Sequence, residues 1–239
     1  MKHLLTTLML MILVSSACLL AQMTTPRVLV IRILDQDGSS LPDIKEEMKL
    51  QAILNGAERT ENDVDFGYAY GLGDLYAKIQ LGNFGLEWAP GDTVNVVISR
   101  IGSHFSQARM KFIIPDGSYP VFWGRIDTPE RDFPGEPVRL YPFILNVEAQ
   151  DPGIPVLING KATALVTGTP VTAKTKDDIT GIFSLAPPPS GWRWEPSKYV
   201  LTPRDFEFSE SAYTDAEGVS RPGWARTLEF RLVPSDPEG

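Results

Sequence analysis

The sequence predicts an all-β protein: two tandem β-sandwich domains of immunoglobulin-like type behind a signal peptide. Three observations carry this. Short apolar runs recur along the chain, and several alternate apolar with polar residues. Alternate side chains of an extended strand face the same way, so alternation marks a half-buried strand. The runs are broken by 20 prolines and 20 glycines, which interrupt helices and build turns. No segment sustains the 3.6-residue apolar period of a helix.

The chain opens MKHLLTTLMLMILVSSACLLAQ, with a basic start, an apolar run over 4–14 and small residues before Gln22. That is the layout of a secretory signal peptide, and cleavage after Ala21 is expected. The run is shorter than the roughly 20 apolar residues that span a bilayer, so no transmembrane segment is expected. "SSAC" also loosely matches a lipobox with Cys18 as the lipidated residue, although Ser15 stands where leucine is usual. Cleavage after Ala21 and lipidation at Cys18 both stay open. Either outcome leaves no cysteine for a disulfide, as suits an exported bacterial protein stabilised by its core.

Strand-like runs follow in order: 27–34, 49–54, 75–81, 93–99 and 108–114, then 138–147, 155–160, 168–175, 181–186, 205–209 and 227–233. Their β-branched and aromatic content and regular spacing suit a sandwich. Residues 41–50 could hold one helical turn started by Pro42. The proline-rich, charged stretch 127–137 reads as a linker or long loop. The expected domains are therefore 26–136 and 137–235.

With Lys2 removed, 21 basic side chains face 30 acidic ones, a net charge of about −9. No lysine or arginine cluster offers a phosphate-binding patch, so nucleic acid is an unsuitable partner. His104 is the only histidine after the leader, which excludes zinc sites built on two or more histidines or cysteines. A Ser-His-Asp arrangement could use only His104, in the hairpin-like "SRIGSHFSQ", and no Gly-x-Ser-x-Gly elbow accompanies it. No catalytic residue is assigned, and the protein is expected not to be an enzyme.

Two groups remain as candidate sites. Asp35, Asp37 and Asp43 could supply oxygens to calcium, the one cofactor considered. The competing reading of Asp35-Gln36-Asp37-Gly38 is a tight turn, with Gly38 at positive φ. Trp192 and Trp194 stand two apart, and with Trp224 they could form an indole platform for a polysaccharide. Burying one tryptophan removes roughly 150–250 Å² from water, so a core role competes strongly. The expectation is one of Trp192 and Trp194 buried and the other at the rim, with Trp88 in a core.

Two resemblances add to this. Asp151-Pro152, Gly160, Thr169-Pro170, the strand 182–185 and Gly191-Trp192 give 148–201 the outline of PEGA and carboxypeptidase-regulatory-like modules. Gly82-Asn83-Phe84, Trp88 and Gly91-Asp92 ahead of the strand 93–99 resemble immunoglobulin-like or fibronectin-like modules of secreted bacterial proteins. The resemblances imply non-catalytic surface or periplasmic domains and carry no functional residue. The expected role is thus structural, adhesive or assembly-related, outside the inner membrane of a bacterium. Protein partners or self-association would serve it, and carbohydrate binding through tryptophans is the alternative.

Overall fold

The computed structural model describes residues 28–42, 44–54, 57–59, 64–69, 74–80, 89, 91–114, 121–123 and 138–235. Every regular element longer than a single 3-10 turn among them is a strand. Among the described residues no helix is long and apolar enough to cross a membrane. The chain divides into two units. The first runs to Ile98 and resumes from Ala108 to Arg139, and the second takes Ser99–Gln107 and the chain from Leu140 onward.

The first unit holds β1 (Val28–Leu34), β2 (Met48–Leu54), β3 (Ala57–Arg59), β4 (Val64–Ala69) and β5 (Asp74–Gln80). It also holds most of the hairpin β6 (Thr93–Ile101) and β7 (Phe105–Ile113), then β8 (Val121–Trp123) and β9 (Val138–Arg139). One sheet runs β4–β5–β1–β8, with β9 also beside β1. β1 is antiparallel to β5 and parallel to β8 and β9, and Leu29, Val30 and Ile31 are buried in succession. A continuous apolar run gives a strand covered on both faces. The second sheet of this unit runs β7–β6–β2–β3. Here alternation holds: Val94, Val96 and Ile98 are buried on β6, and Met48, Leu50, Ala52 and Leu54 on β2. The helical turn expected within 41–50 is the 3-10 turn Lys45–Glu47. Gly91, at φ +94°, and Asp92 turn the chain into β6, with Asp92 N–H donating to Ala89 O.

The second unit carries β10 (Tyr141–Glu148), β11 (Pro155–Ile158), β12 (Lys161–Val166), β13 (Val171–Thr172) and β14 (Gly181–Leu185). After them come β15 (Trp192–Glu195), β16 (Tyr199–Leu201), β17 (Glu207–Thr214), β18 (Ser220–Glu229) and β19 (Arg231–Pro234). Within this unit one sheet runs β17–β18–β10–β7, and β13 also pairs with β10. A second sheet runs β12–β11–β14–β16, and β15 with β19 forms a two-stranded ribbon. The unit has a sandwich-like core. Phe143, Leu145 and Val147 of β10 and Leu228 of β18 meet Val156, Phe183, Leu185 and Leu201 of the other sheet.

Turn chemistry sets the register of that second sheet. Asn159, at φ +52°, and Gly160, at φ +76°, form the two-residue β11–β12 hairpin that Asn-Gly favours. Asn159 N–H donates to Ile182 O, and Ile182 N–H donates to Asn159 Oδ1 at 2.9 Å. This places the asparagine side chain against Gly181, whose φ of +132° suits glycine almost alone. A Cβ on Gly181 would come 2.7 Å from Asn159 Nδ2. Gly181→Ala is therefore expected to destabilise the protein by about 2 kcal/mol or more, from backbone strain plus the displaced asparagine. Urea unfolding of the variant beside wild type measures it.

Candidate functional site

The three tryptophans proposed as a platform do not share a surface. Trp224 stands on β18 in register with Phe143 of β10 and Phe208 of β17. Its ring stacks 6.3 Å from Phe143 and meets Phe208 edge-on at 5.5 Å. Its Nε1–H donates to Gln107 O at 2.8 Å, so the polar edge of the indole is satisfied inside the unit. Phe143 in turn touches Phe105 and Phe206, each with ring centres 5.2 Å away. Trp224 is thus partly buried against the core cluster, with one ring face stacked on Phe143 and its N–H committed to Gln107.

Trp194 and Trp192 share a face of β15 but differ in burial. Trp194 is half-buried and packs against the core cluster, with Nε1–H donated to Ala186 O at 2.9 Å. Trp192 lies one pleat repeat further along β15, beyond the core edge, and is 44% exposed. Its N–H closes the preceding turn on Pro189 O. One indole is architecture and one stands at the surface. A shallow cleft of about 530 Å³ opens beside Trp194, lined also by Leu185, Pro188, Arg193, Glu195, Pro196 and Ser197. That volume is within the range of small-ligand sites.

The acidic candidates are occupied by their own turn. Gly38 N–H donates to Asp35 O at 2.9 Å and Asp35 N–H to Ser39 O at 3.0 Å. Asp35 Oδ1 accepts from Gln36 N–H, and Asp37 Oδ1 from Ser39 N–H, each at 2.8 Å. Ser39, through its side chain and its N–H, holds the Asp37 carboxyl below its ordinary value. The same turn recurs at Asp215, where Gly218 N–H bonds Asp215 O and Asp215 N–H bonds Val219 O. There the Val219 N–H and then the Arg221 guanidinium, 2.6 Å away, lower the aspartate's pKa. Both are hairpin turns that need a small acceptor at the first position and glycine at the fourth. Asp43 and Cys18 lie outside the described residues, as does Trp88. Among the described residues no group of three or more His, Cys, Asp or Glu side chains is arranged to hold a metal ion.

His104 sits at the bend between β6 and β7, with Ser103 Oγ 3.1 Å from its Nδ1. What sequence reasoning missed is a pair of matched caps. In Thr175-Lys176-Asp177-Asp178 and Thr202-Pro203-Arg204-Asp205, the last aspartate accepts the N–H of the threonine three places earlier. The Thr-x-x-Asp spacing was the available signal. Compared with protein-family models, curated proteins and solved structures, the chain matches none.

The tryptophans separate in energy accordingly. Trp224→Ala is expected to cost about 2–3 kcal/mol, as for a partly buried aromatic whose N–H is also bonded, and Trp192→Ala about 0.5 kcal/mol or less. Denaturant unfolding of both variants decides it. The cap at Asp205 has a pH signature. Its carboxyl lies below the ordinary value of 3.8 because Thr202 N–H and then Thr202 Oγ1–H donate to it. A depressed carboxylate contributes stability above its unfolded pKa and loses it as pH falls through the folded one. The stability gap between wild type and Asp205→Asn should hold at neutral pH and close as pH drops below 3.8. Urea midpoints across that range check it.

Proposed function

We propose that the chain is an exported, non-catalytic module of a bacterial cell envelope or extracellular structure. In this reading it is built from two immunoglobulin-like sandwiches, the second PEGA-like, and it assembles with further copies of itself through a sheet face. The observation that carries it is the outer face of the β12–β11–β14–β16 sheet. Ile182 of β14 and Val200 of β16 lie directly opposite each other, 41% and 66% exposed. Leu157 and Ala162, also directly opposite, continue that outward face without a charge. Covering two such aliphatic side chains is worth about 2–4 kcal/mol. That is the size of a contact hot spot and well short of a permanent interface, which suits a module repeated many times in an assembly.

Two of the unit's edges, β17 and β16, are guarded against strand addition. β17, the outer strand of its sheet, bears Glu207 and Glu210 and has an irregular register between Ser209 and Tyr213. β16 is three residues long. Acidic side chains, bulges and short length are the devices that keep sheet edges from pairing. A non-catalytic role is in keeping with the single histidine after the leader lying at a hairpin tip beside a serine. A second reading, polysaccharide binding, draws on exposed Trp192 alone. One indole is a thin platform, so it ranks below assembly.

Sedimentation and light scattering of the mature protein test the proposal. Wild type should grow in mass with concentration, and a variant carrying Ile182→Lys and Val200→Glu, opposite charges on directly facing positions, should stay monomeric while remaining folded by its melting curve. A wild type of constant mass across the range contradicts it.

A further inference from the structure

The ribbon of β15 and β19 has an unusual free edge. Ser235 N–H donates to Gly191 O at 2.9 Å, which fixes the phase of the antiparallel ladder. Counting on from that bonded pair, Arg193↔Val233 and Glu195↔Arg231 exchange hydrogen bonds, while Trp192↔Pro234 and Trp194↔Leu232 do not. The alternation explains how Pro234 fits the strand, because no N–H is required of it there. It also means that the backbone N–H and C=O of Trp192 and Trp194 point away from β19. Trp192 N–H on that side is used by Pro189 O. Trp194 N–H and C=O face the same side, beside the cleft of about 530 Å³ that Trp194 lines with Leu185, Pro188, Pro196 and Ser197.

A slot with one free donor and acceptor pair on a strand edge has the requirements of an extended peptide. We infer that this cleft binds a short peptide strand, which adds antiparallel to β15 opposite Trp194. Side-chain direction sets the sequence it prefers. The residue opposite Trp194 shares that side chain's face, against Leu185 and Pro188, and is therefore aliphatic. The residues on either side of it face the other way, beside exposed Glu195 and Arg193. Antiparallel addition sets a basic residue opposite Glu195 and an acidic one opposite Arg193. The preferred order from N- to C-terminus is thus basic, aliphatic, acidic. The site is separate from the Ile182 and Val200 face, so either proposal can fail while the other stands.

The test uses two blocked synthetic peptides, TVKVEVT and its charge-swapped partner TVEVKVT, titrated into isotopically labelled mature protein. TVKVEVT should give a saturable shift of the Trp194 backbone amide and bind about fivefold more tightly than the swapped peptide, from two cross-strand charge pairs. Replacing its central valine with proline should abolish binding, because the strand bond to Trp194 is lost. A protein carrying Arg193→Glu and Glu195→Arg should reverse the preference, and its melting curve controls for the new like charge beside Arg231. No saturable shift, equal binding of both peptides, an unreversed preference, or a shift given by cellohexaose in place of peptide would each overturn the inference.

Discussion

Phe143 is the side chain on which the second unit depends. It is fully buried on β10, and rings from three other parts of the unit converge on it. Phe105 comes from β7, Phe206 from the capped 3-10 turn before β17, and Trp224 from β18. The parallel pairing of β10 with β18 puts Phe143 and Trp224 in register and runs on through Glu148 and Glu229. Each ring in such a cluster buries on the order of 150–250 Å². The cluster therefore outweighs any single surface contact in the unit. It also engages one of the three candidate indoles, Trp224, through a ring face and its N–H.

The outlying aromatics follow from the same packing. Trp194 is drawn onto the cluster's far side and spends its N–H on Ala186, which anchors the β15–β19 ribbon. A two-stranded ribbon alone is marginal in water, so this anchor keeps the free edge of β15 in place. Trp192, one repeat along, passes the end of the core and stays in solvent. Tyr199 holds β16 in a related way, with its hydroxyl donated to Glu229 O and its ring edge-on to Phe230. That leaves Val200, its neighbour on the strand, facing outward. Surface features are thus by-products of where inward residues are pinned.

Much of this was legible in the sequence, where the information is local. The alternation in "MKLQAIL" and "TVNVVISRI" becomes β2 and β6 with the burial it predicts. Asp-x-Asp-Gly at 35–38 reads as a turn and is one. β12 was invisible because Lys-Ala-Thr-Ala-Leu-Val has little apolar contrast, and its pairing depends on the Asn159-Gly160 turn. β15 and β16 are too short to show a period. The place of Trp224 could not be read at all. Its hydrogen bond reaches back 117 residues to Gln107, and no local pattern encodes a register of that span. The assignment of Ser99–Gln107 to the second unit is long-range in the same sense. Tertiary pairing, not propensity, decides such positions.

The central claim is that aromatic rings of the second unit build its core and leave contact to exposed surfaces. Fluorine NMR of protein labelled with 5-fluorotryptophan, with resonances assigned by single Trp→Phe variants, tests it most directly. A soluble paramagnetic probe should broaden Trp192 strongly, and Trp194 and Trp224 weakly, since both are partly buried against the core. Trp224 broadened as much as Trp192 would contradict the account, because the ring stacked on Phe143 would then be facing water.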